Sequence, residues 1–440
     1  MQNPPDPFWA KRSGELIDFP QAEDCLNLNI WTADVHTPKK AVLFWVYGGS
    51  YILGYNYKKG YLPTRFVQAH PEILVVAPNY RVGVLGSLNL SSLTGSKEYR
   101  YSNNLALLDL LEALRWTQEN IVFFGGDPER VTLYGHSAGS NAISHLMAMP
   151  AAEGLFSQTI CQSSYMTDLG TVAYDTSEEI GVKFFELARV HTLEEALALT
   201  SEQILDCQQK LFGFHFGGSK ASKMFSPVAD EIIVEKEPFR HFADGTFNGK
   251  RVMIGGSEGE YDQMFRTKNL EEMKDFVIQR NQDKKLTRER LEKFVAMHPE
   301  MPEKEACMTI HNELGLSLGG EWIGRFCSRY VADYEYVFRL REPQDHCRAL
   351  HGAPSNYIFG TLIPEGAPSN MEKQMMDTWA AFINGGDPNN EEIPQWPAYV
   401  PDGTVMTMDT EWKAVPGYWE KDFHFWEKDF AEYQYEEALS

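Results

Sequence analysis

Seven short apolar runs punctuate the chain: LNIW at 28–31, VLFWVY at 42–47, ILVVA at 73–77, VTLY at 131–134, RVMIG at 251–255, YEYVFRL at 334–340 and VMTM at 405–408. Most are continuously apolar instead of alternating. That is the pattern of strands covered on both faces, so the runs predict a sheet sandwiched between helices. Between the third and fourth runs, NNLALLDLLEALRWTQENIVFFGGDP sets Leu107, Leu111 and Leu114 at spacings of four and three, which is one face of an amphipathic helix. Gly125, Gly126 and Pro128 close this helix before the next strand. The alternation of strand and helix predicts an α/β fold with a mostly parallel central sheet flanked by helices.

Two regions break the alternation. Within residues 176–211, Thr176 with Glu179, Thr192 with Glu195 and Thr200 with Gln203 each have capping-box spacing. Residues 270–330 also read as helical and charged. We expect both to form cap-like insertions, about 168–245 and 265–330, over the carboxyl edge of the sheet, where ligands bind in open α/β folds. With 440 residues and 43% hydrophobic content, residues 1–440 are expected to form one domain around a large core. PEGAPSN at 364–370 reads as a loop.

A net charge of -22 argues against nucleic acid or an anionic membrane as a partner. The acidic run EKDFAEYQYEEALS at 427–440 reads as a solvated tail. No stretch approaches the ~20 apolar residues that span a bilayer, and MQNPPDPFWAKRSGE at the start lacks the apolar core of a secretory signal. A cytoplasmic protein, monomeric or weakly homo-oligomeric, is the expectation. Six cysteines lie scattered without metal-ligand spacing, so we expect reduced thiols and no metal; their even number leaves disulfides in an exported chain as the alternative.

VTLYGHSAGS at 131–140 carries the chemistry. A serine two residues from a glycine on each side, between a strand and a helix, fits the sharp turn that presents a nucleophilic hydroxyl, here that of Ser137. Such a hydroxyl needs a base and donors for the oxyanion it creates. Among twelve histidines, His351 is best placed, after the YEYVFRL strand and before Gly352, with His346 its nearest rival. His136 adjoins the serine, but neighbouring side chains on a tight turn diverge. The acid that orients the base should follow RVMIG, where Glu258, Glu260 and Asp262 compete and spacing does not choose among them. Backbone N–H groups of Ala138 and of the loop at Gly48 and Gly49 are the candidate oxyanion donors.

EDCLNLNIW at 23–31, NYRVGVLG at 79–86, the whole of 103–140, LHGAPSNYIFG at 350–360, and FINGGDPN with QWPAY within 382–399 extend the pattern. From about residue 20 to 408 the chain resembles the type B carboxylesterase and cholinesterase family of α/β-hydrolases. The resemblance implies that fold, with Ser137 as nucleophile, His351 as base and Glu260 as acid. At the acid the family's Asp-Glu-Gly is replaced by Gly259, Glu260 and Tyr261, which keeps Asp262 as the fallback. It further implies an oxyanion hole at Gly49, Ser50 and Ala138, with Ser50 standing where the family usually has a third glycine. His136 replaces an acidic residue and so removes a negative charge that would favour cationic choline esters.

The implied activity is that of a cofactor-free serine carboxylesterase. It would act on small-molecule esters with small to medium uncharged acyl or aryl groups, through an acyl-enzyme. His136, Tyr51 and Phe359, together with Tyr55, Phe214 and Phe216, are the expected pocket residues. The alternatives are a lipase or amidase on the same residues, or an inactive adhesion or scaffold member of the family.

Overall fold

The computed structural model of the protein describes residues 21–426 apart from 96–98, 165–169, 215–223, 235–237, 266–267, 282–284, 342–346 and 401. His346, Phe216, the opening segment and the acidic run at 427–440 lie outside the described residues.

All seven apolar runs form strands, and four further short strands accompany them. In chain order they are β1 (Leu28–Trp31), β2 (Lys40–Val46), β3 (Ile73–Pro78), β4 (Gly126–His136), β5 (Gln158–Gln162), β6 (Val172–Ala173), β7 (Val228–Ala229), β8 (Arg251–Ser257), β9 (Ala332–Phe338), β10 (Val405–Met408) and β11 (Lys413–Val415). Nine of them make one sheet in the order β1-β3-β2-β4-β5-β8-β9-β10-β11, while β6 and β7 pair separately. The interior pairings are parallel; only β1 on β3 and β11 on β10, at the two edges, are antiparallel. Every residue of β2 and β3 is buried, as expected of strands with helices on both faces.

The predicted amphipathic helix is α1 (Leu105–Asn120), which buries Leu107, Leu111 and Leu114. It is followed by α2 (Ala138–Ala148), which is buried along its whole length. The first insertion contains α3 (Tyr174–Ala188), α4 (Leu193–Leu197) and α5 (Ser201–Leu211). Capping boxes form at Thr192 and Thr200. None forms at Thr176, because α3 starts earlier, at Tyr174 after Ala173. The second insertion contains α6 (Leu270–Arg280), α7 (Arg288–Met297), α8 (Glu303–Asn312) and α9 (Leu318–Cys327).

A Cβ on Gly324 of α9 would lie 1.8 Å from Oε1 of Glu335 on β9, so α9 packs closely against that strand. Downstream come α10 (Ala353–Ile358) and α11 (Met371–Gly385). Among the described residues the six cysteines are free thiols, and no helix is long and apolar enough to cross a membrane.

Because β2, β4, β5, β8 and β9 run parallel, their carboxyl ends share one edge of the sheet. Directly beyond those ends come, in turn, Gly48 and Gly49, Ser137, Ser163, Glu260 and the loop that leads to His351. The topology therefore gathers segments far apart in sequence.

Candidate active site

Ser137 sits between the last residue of β4 and the first of α2 with φ 62° and ψ -127°. A non-glycine residue in such a region costs about 1–3 kcal/mol, a cost held in place only by its surroundings. Two hydrogen bonds hold it: the Ser137 N–H donates to the Gln162 carbonyl at 2.9 Å, and the Asn141 N–H donates to the Ser137 carbonyl at 3.0 Å. The flanking glycines are obligatory. A Cβ on Gly135 would meet the Gly139 carbonyl oxygen at 2.4 Å, and one on Gly139 would meet the Val46 carbonyl oxygen at 2.1 Å.

The loop after β2 lies against the serine, since a Cβ on Gly48 would be 2.6 Å from Ser137 Cβ and 3.2 Å from its Oγ. Gly49, Ser50 and Tyr51 then take φ of 138°, 54° and 56°. The tight turn is closed by Ile52 and Leu53 N–H groups donating to the Gly49 carbonyl at 2.9 and 3.1 Å. The Tyr51 hydroxyl donates to Asn141 Oδ1 at 2.7 Å, which ties this loop to the first turn of α2. No side chain caps the amino end of α2 at Ser137, so the first-turn N–H groups, beginning with Ala138, are not taken up by a side-chain cap. Gly48 and Ala138 thus border the serine, and Gly49 and Ser50 follow Gly48 in the same turn.

On the other side, His351 Nδ1 donates to Glu260 Oε2 at 2.5 Å. With that proton on Nδ1, Nε2 is the basic nitrogen. Glu260 is 1% exposed, and its second oxygen accepts from the Ser163 hydroxyl at 2.6 Å and from the Ser257 N–H at 2.7 Å. Its two rivals are committed elsewhere. Glu258 pairs with Arg339 at 3.0 Å, and Asp262 pairs with the buried Arg348 at 2.7 and 2.8 Å while also accepting from Asn312. Spacing left the acid open; these two arginines separate the candidates.

The His136 ring, one residue before Ser137, stands 4.5 Å from the His351 ring at an interplanar angle of 40°. Burial, then the positive potential of His351 and Lys58, holds the His136 pKa well below the usual histidine value. Tyr51 and Phe359, expected to line a pocket, are both buried. Tyr51 is buried with its hydroxyl engaged as a brace, and Phe359 is enclosed by Trp45, Tyr134 and Tyr61 at ring distances of 4.9, 6.0 and 6.5 Å. Their bulk is used to fill space beneath the site. Tyr55 packs on Tyr57, and Phe214 lies under the Lys183 ammonium at 4.6 Å. A cavity of about 300 Å³ opens on the far side of Glu260, lined in part by Ser163, Arg348 and Glu335, and Ser137 and His351 are not among its walls.

Sequence reasoning missed Ser163 and Gln162. The Gln162 side chain accepts from the Tyr134 hydroxyl and donates to Ser355 Oγ at 3.1 Å, while its main chain holds Ser137. Both residues belong to or follow β5, a strand bounded by glutamines that carries too short an apolar run to be noticed. Among the described residues no group of three or more His, Cys, Asp or Glu side chains is arranged to hold a metal ion.

Comparison with known proteins gives the family. Residues 3–426 match the model of the Carboxylesterase family. The chain is 30% identical over 396 residues to a para-nitrobenzyl esterase of Bacillus subtilis, covering 86% of this chain and 77% of that protein. It is 29% identical to carboxylesterase 1E of Mus musculus, covering 88% and 74%. The crystal structure of a carboxylesterase from Geobacillus stearothermophilus superposes with a TM-score of 0.80 at 25% identity, covering 92% of this chain and 86% of that one. With nearly its whole length matched, the chain belongs to the carboxylesterase family, and it is a carboxylic ester hydrolase of α/β-hydrolase fold.

Proposed function

We propose that this carboxylic ester hydrolase works through Ser137, His351 and Glu260, on esters of small to medium uncharged acyl or aryl groups. Ser137 Oγ attacks the ester carbonyl while its proton passes to His351 Nε2. The carbonyl oxygen, now an oxyanion, is received by the N–H groups of Gly49, Ser50 and Ala138. The tetrahedral adduct then collapses, and His351 gives its proton to the departing alkoxide, leaving an acyl group on Ser137. Water attacks that acyl group as His351 takes up its proton, and the second adduct expels Ser137 to release the carboxylic acid. Glu260 fixes the ring and its tautomer throughout.

The single observation that carries this reading is the hydrogen bond from His351 to the buried Glu260, with the His351 ring 4.5 Å from that of His136, the residue that precedes Ser137 in its strained strand-to-helix turn. The uncharged His136 next to Ser137 favours neutral substrates over cationic choline esters. Free thiols at all six cysteines favour a reducing compartment, and we take the cytoplasm as the site of action, with a monomer or weak homo-oligomer as the working unit.

The test is hydrolysis of a short-chain 4-nitrophenyl ester, followed by an organophosphate and mass spectrometry. Turnover abolished by one adduct on Ser137 supports the reading. Absence of both turnover and adduct would leave a scaffold member of the family, and turnover of anilides or long-chain triglycerides in preference to simple esters would point to an amidase or lipase.

A further inference from the structure

His136 is a buried polar side chain to which the reaction steps assign no role. It is 4% exposed, yet neither Nδ1 nor Nε2 has a hydrogen-bond partner, and both are closed to solvent. A neutral imidazole always carries one N–H, and leaving it unbonded inside a protein is unfavourable. Because the nitrogens are sealed off, what the residue offers its surroundings is its ring. One neighbour of that ring is the His351 imidazole, 4.5 Å away. Another is Gly352, whose Cβ, if it had one, would sit 3.2 Å from His136 Cε1; with φ 84° this glycine lets the chain carrying His351 settle on the ring. Tyr61 approaches at 6.2 Å.

We propose that His136 is a positioning residue: its uncharged ring is the platform on which His351 is held, and it accommodates the positive charge that His351 acquires in each turnover. The inference rests on the reading of His351 as the base. An aromatic face attracts a cation, whereas a second positive imidazole at the same place would repel it. The groups that bear on His136 all favour its neutral form: burial, the His351 ring from the loop before α10, and the Lys58 ammonium from the loop after β2. Glu260, a carboxylate paired with His351, engages Nδ1 and leaves the face of the ring to His136.

The test compares His136→Phe, which keeps a flat ring without nitrogens, with His136→Ala, which removes the ring, and His136→Glu, which adds a charge. Thermal unfolding of each variant checks the fold. With a 4-nitrophenyl ester, His136→Ala is expected to lower kcat by about 10-fold or more with KM within about two-fold, because small displacements of a reacting group are costly in rate. His136→Phe should recover most of that loss. His136→Glu should move the acid limb of kcat/KM upward by about one unit, as a carboxylate beside the imidazole favours its charged form.

Wild-type kcat and acid limb in His136→Ala, or His136→Phe as slow as His136→Ala, would overturn the proposal. Should His136→Ala fail to fold, His136→Asn takes its place in the same comparison. Activity surviving in His351→Ala would instead strike at the underlying reading of the base, and the two failures are thereby told apart.

Discussion

Ser163 donates its hydroxyl to Oε1 of Glu260 at 2.6 Å, on the oxygen that His351 leaves free. The carboxylate is therefore gripped from both sides, and the hydroxyl decides which way Oε2 points. Removing it in Ser163→Ala leaves the Ser257 N–H as the remaining donor to Oε1. Loss of orientation without loss of the pair should lower kcat by about 10-fold and leave KM within about two-fold. Steady-state kinetics on a 4-nitrophenyl ester decides it, and an unchanged kcat would mean that Glu260 needs no such support.

The competition among the acids gives a sharper contrast. Glu260→Gln retains the shape of the side chain but favours the wrong histidine tautomer, so kcat should fall by about 10⁴-fold while the fold survives. Asp262→Asn should do the reverse. It unbalances the buried pair with Arg348, costing about 3–5 kcal/mol of stability, and the folded enzyme should keep kcat within a few-fold. Denaturant unfolding alongside kinetics on both variants reads the two effects separately; a large kcat loss in soluble, folded Asp262→Asn would transfer the role to Asp262.

What could be read in the sequence follows the range of the interaction. Strands such as ILVVA, buried on both faces, announce themselves through their own composition, and so does the glycine pattern around Ser137, whose steric demands are local. QTICQ does not, because Gln158 and Gln162 are buried at the price of distant partners: Gln158 donates to Thr132 and to the Phe382 and Ile383 carbonyls. Thr176 looked like a helix cap, yet the next residue, Ser177, is drawn into hydrogen bonds with Tyr174 and with Asn89, 88 positions away, and the helix starts earlier. The choice of Glu260 over its neighbours depends on Arg339 and Arg348, which lie 81 and 86 residues from their carboxylate partners. Tyr51 and Phe359 have the composition of pocket residues but the burial of core residues, a distinction only packing makes.

Two glycines predict opposite outcomes. In Gly139→Ala the new methyl would press on backbone, 2.1 Å from the Val46 carbonyl oxygen, and neither β2 nor α2 can retreat without opening the elbow. We expect little soluble protein and no active-site titration. Gly320 lies inside α9 with nothing within 4 Å of the position its Cβ would take. Gly320→Ala should therefore add about 0.5–1 kcal/mol through helix propensity and a less flexible unfolded chain, seen as a raised denaturation midpoint with activity retained. A destabilised Gly320→Ala would show that the space beside Gly320 is not open to a methyl group.

Stability should also respond to pH through the carboxylates that α9 and β9 enclose. Glu321, Asp333 and Glu335 are each no more than 2% exposed, and the nearby cation bonded to Glu321 is Arg325 at 2.6 Å. Burial, followed by the charge of Glu321, raises Asp333 from 3.8 to about 8, and burial with the same neighbours also raises Glu335. Between those two values the folded chain holds a proton that the unfolded chain has released. This contribution is thus fully present below pH 3.8 and is lost as pH rises through about 8, with a slope of at most about 1.4 kcal/mol per unit. Asp333→Asn cannot ionise and keeps the side chain's shape. Its unfolding midpoint, measured against the wild type from pH 5 to 9, should gain progressively up to about pH 8 and then level off. A difference that stays constant across that range, or that shrinks toward alkaline pH, would mean that Asp333 is already ionised in the folded protein and that Arg325 serves more of the cluster than Glu321.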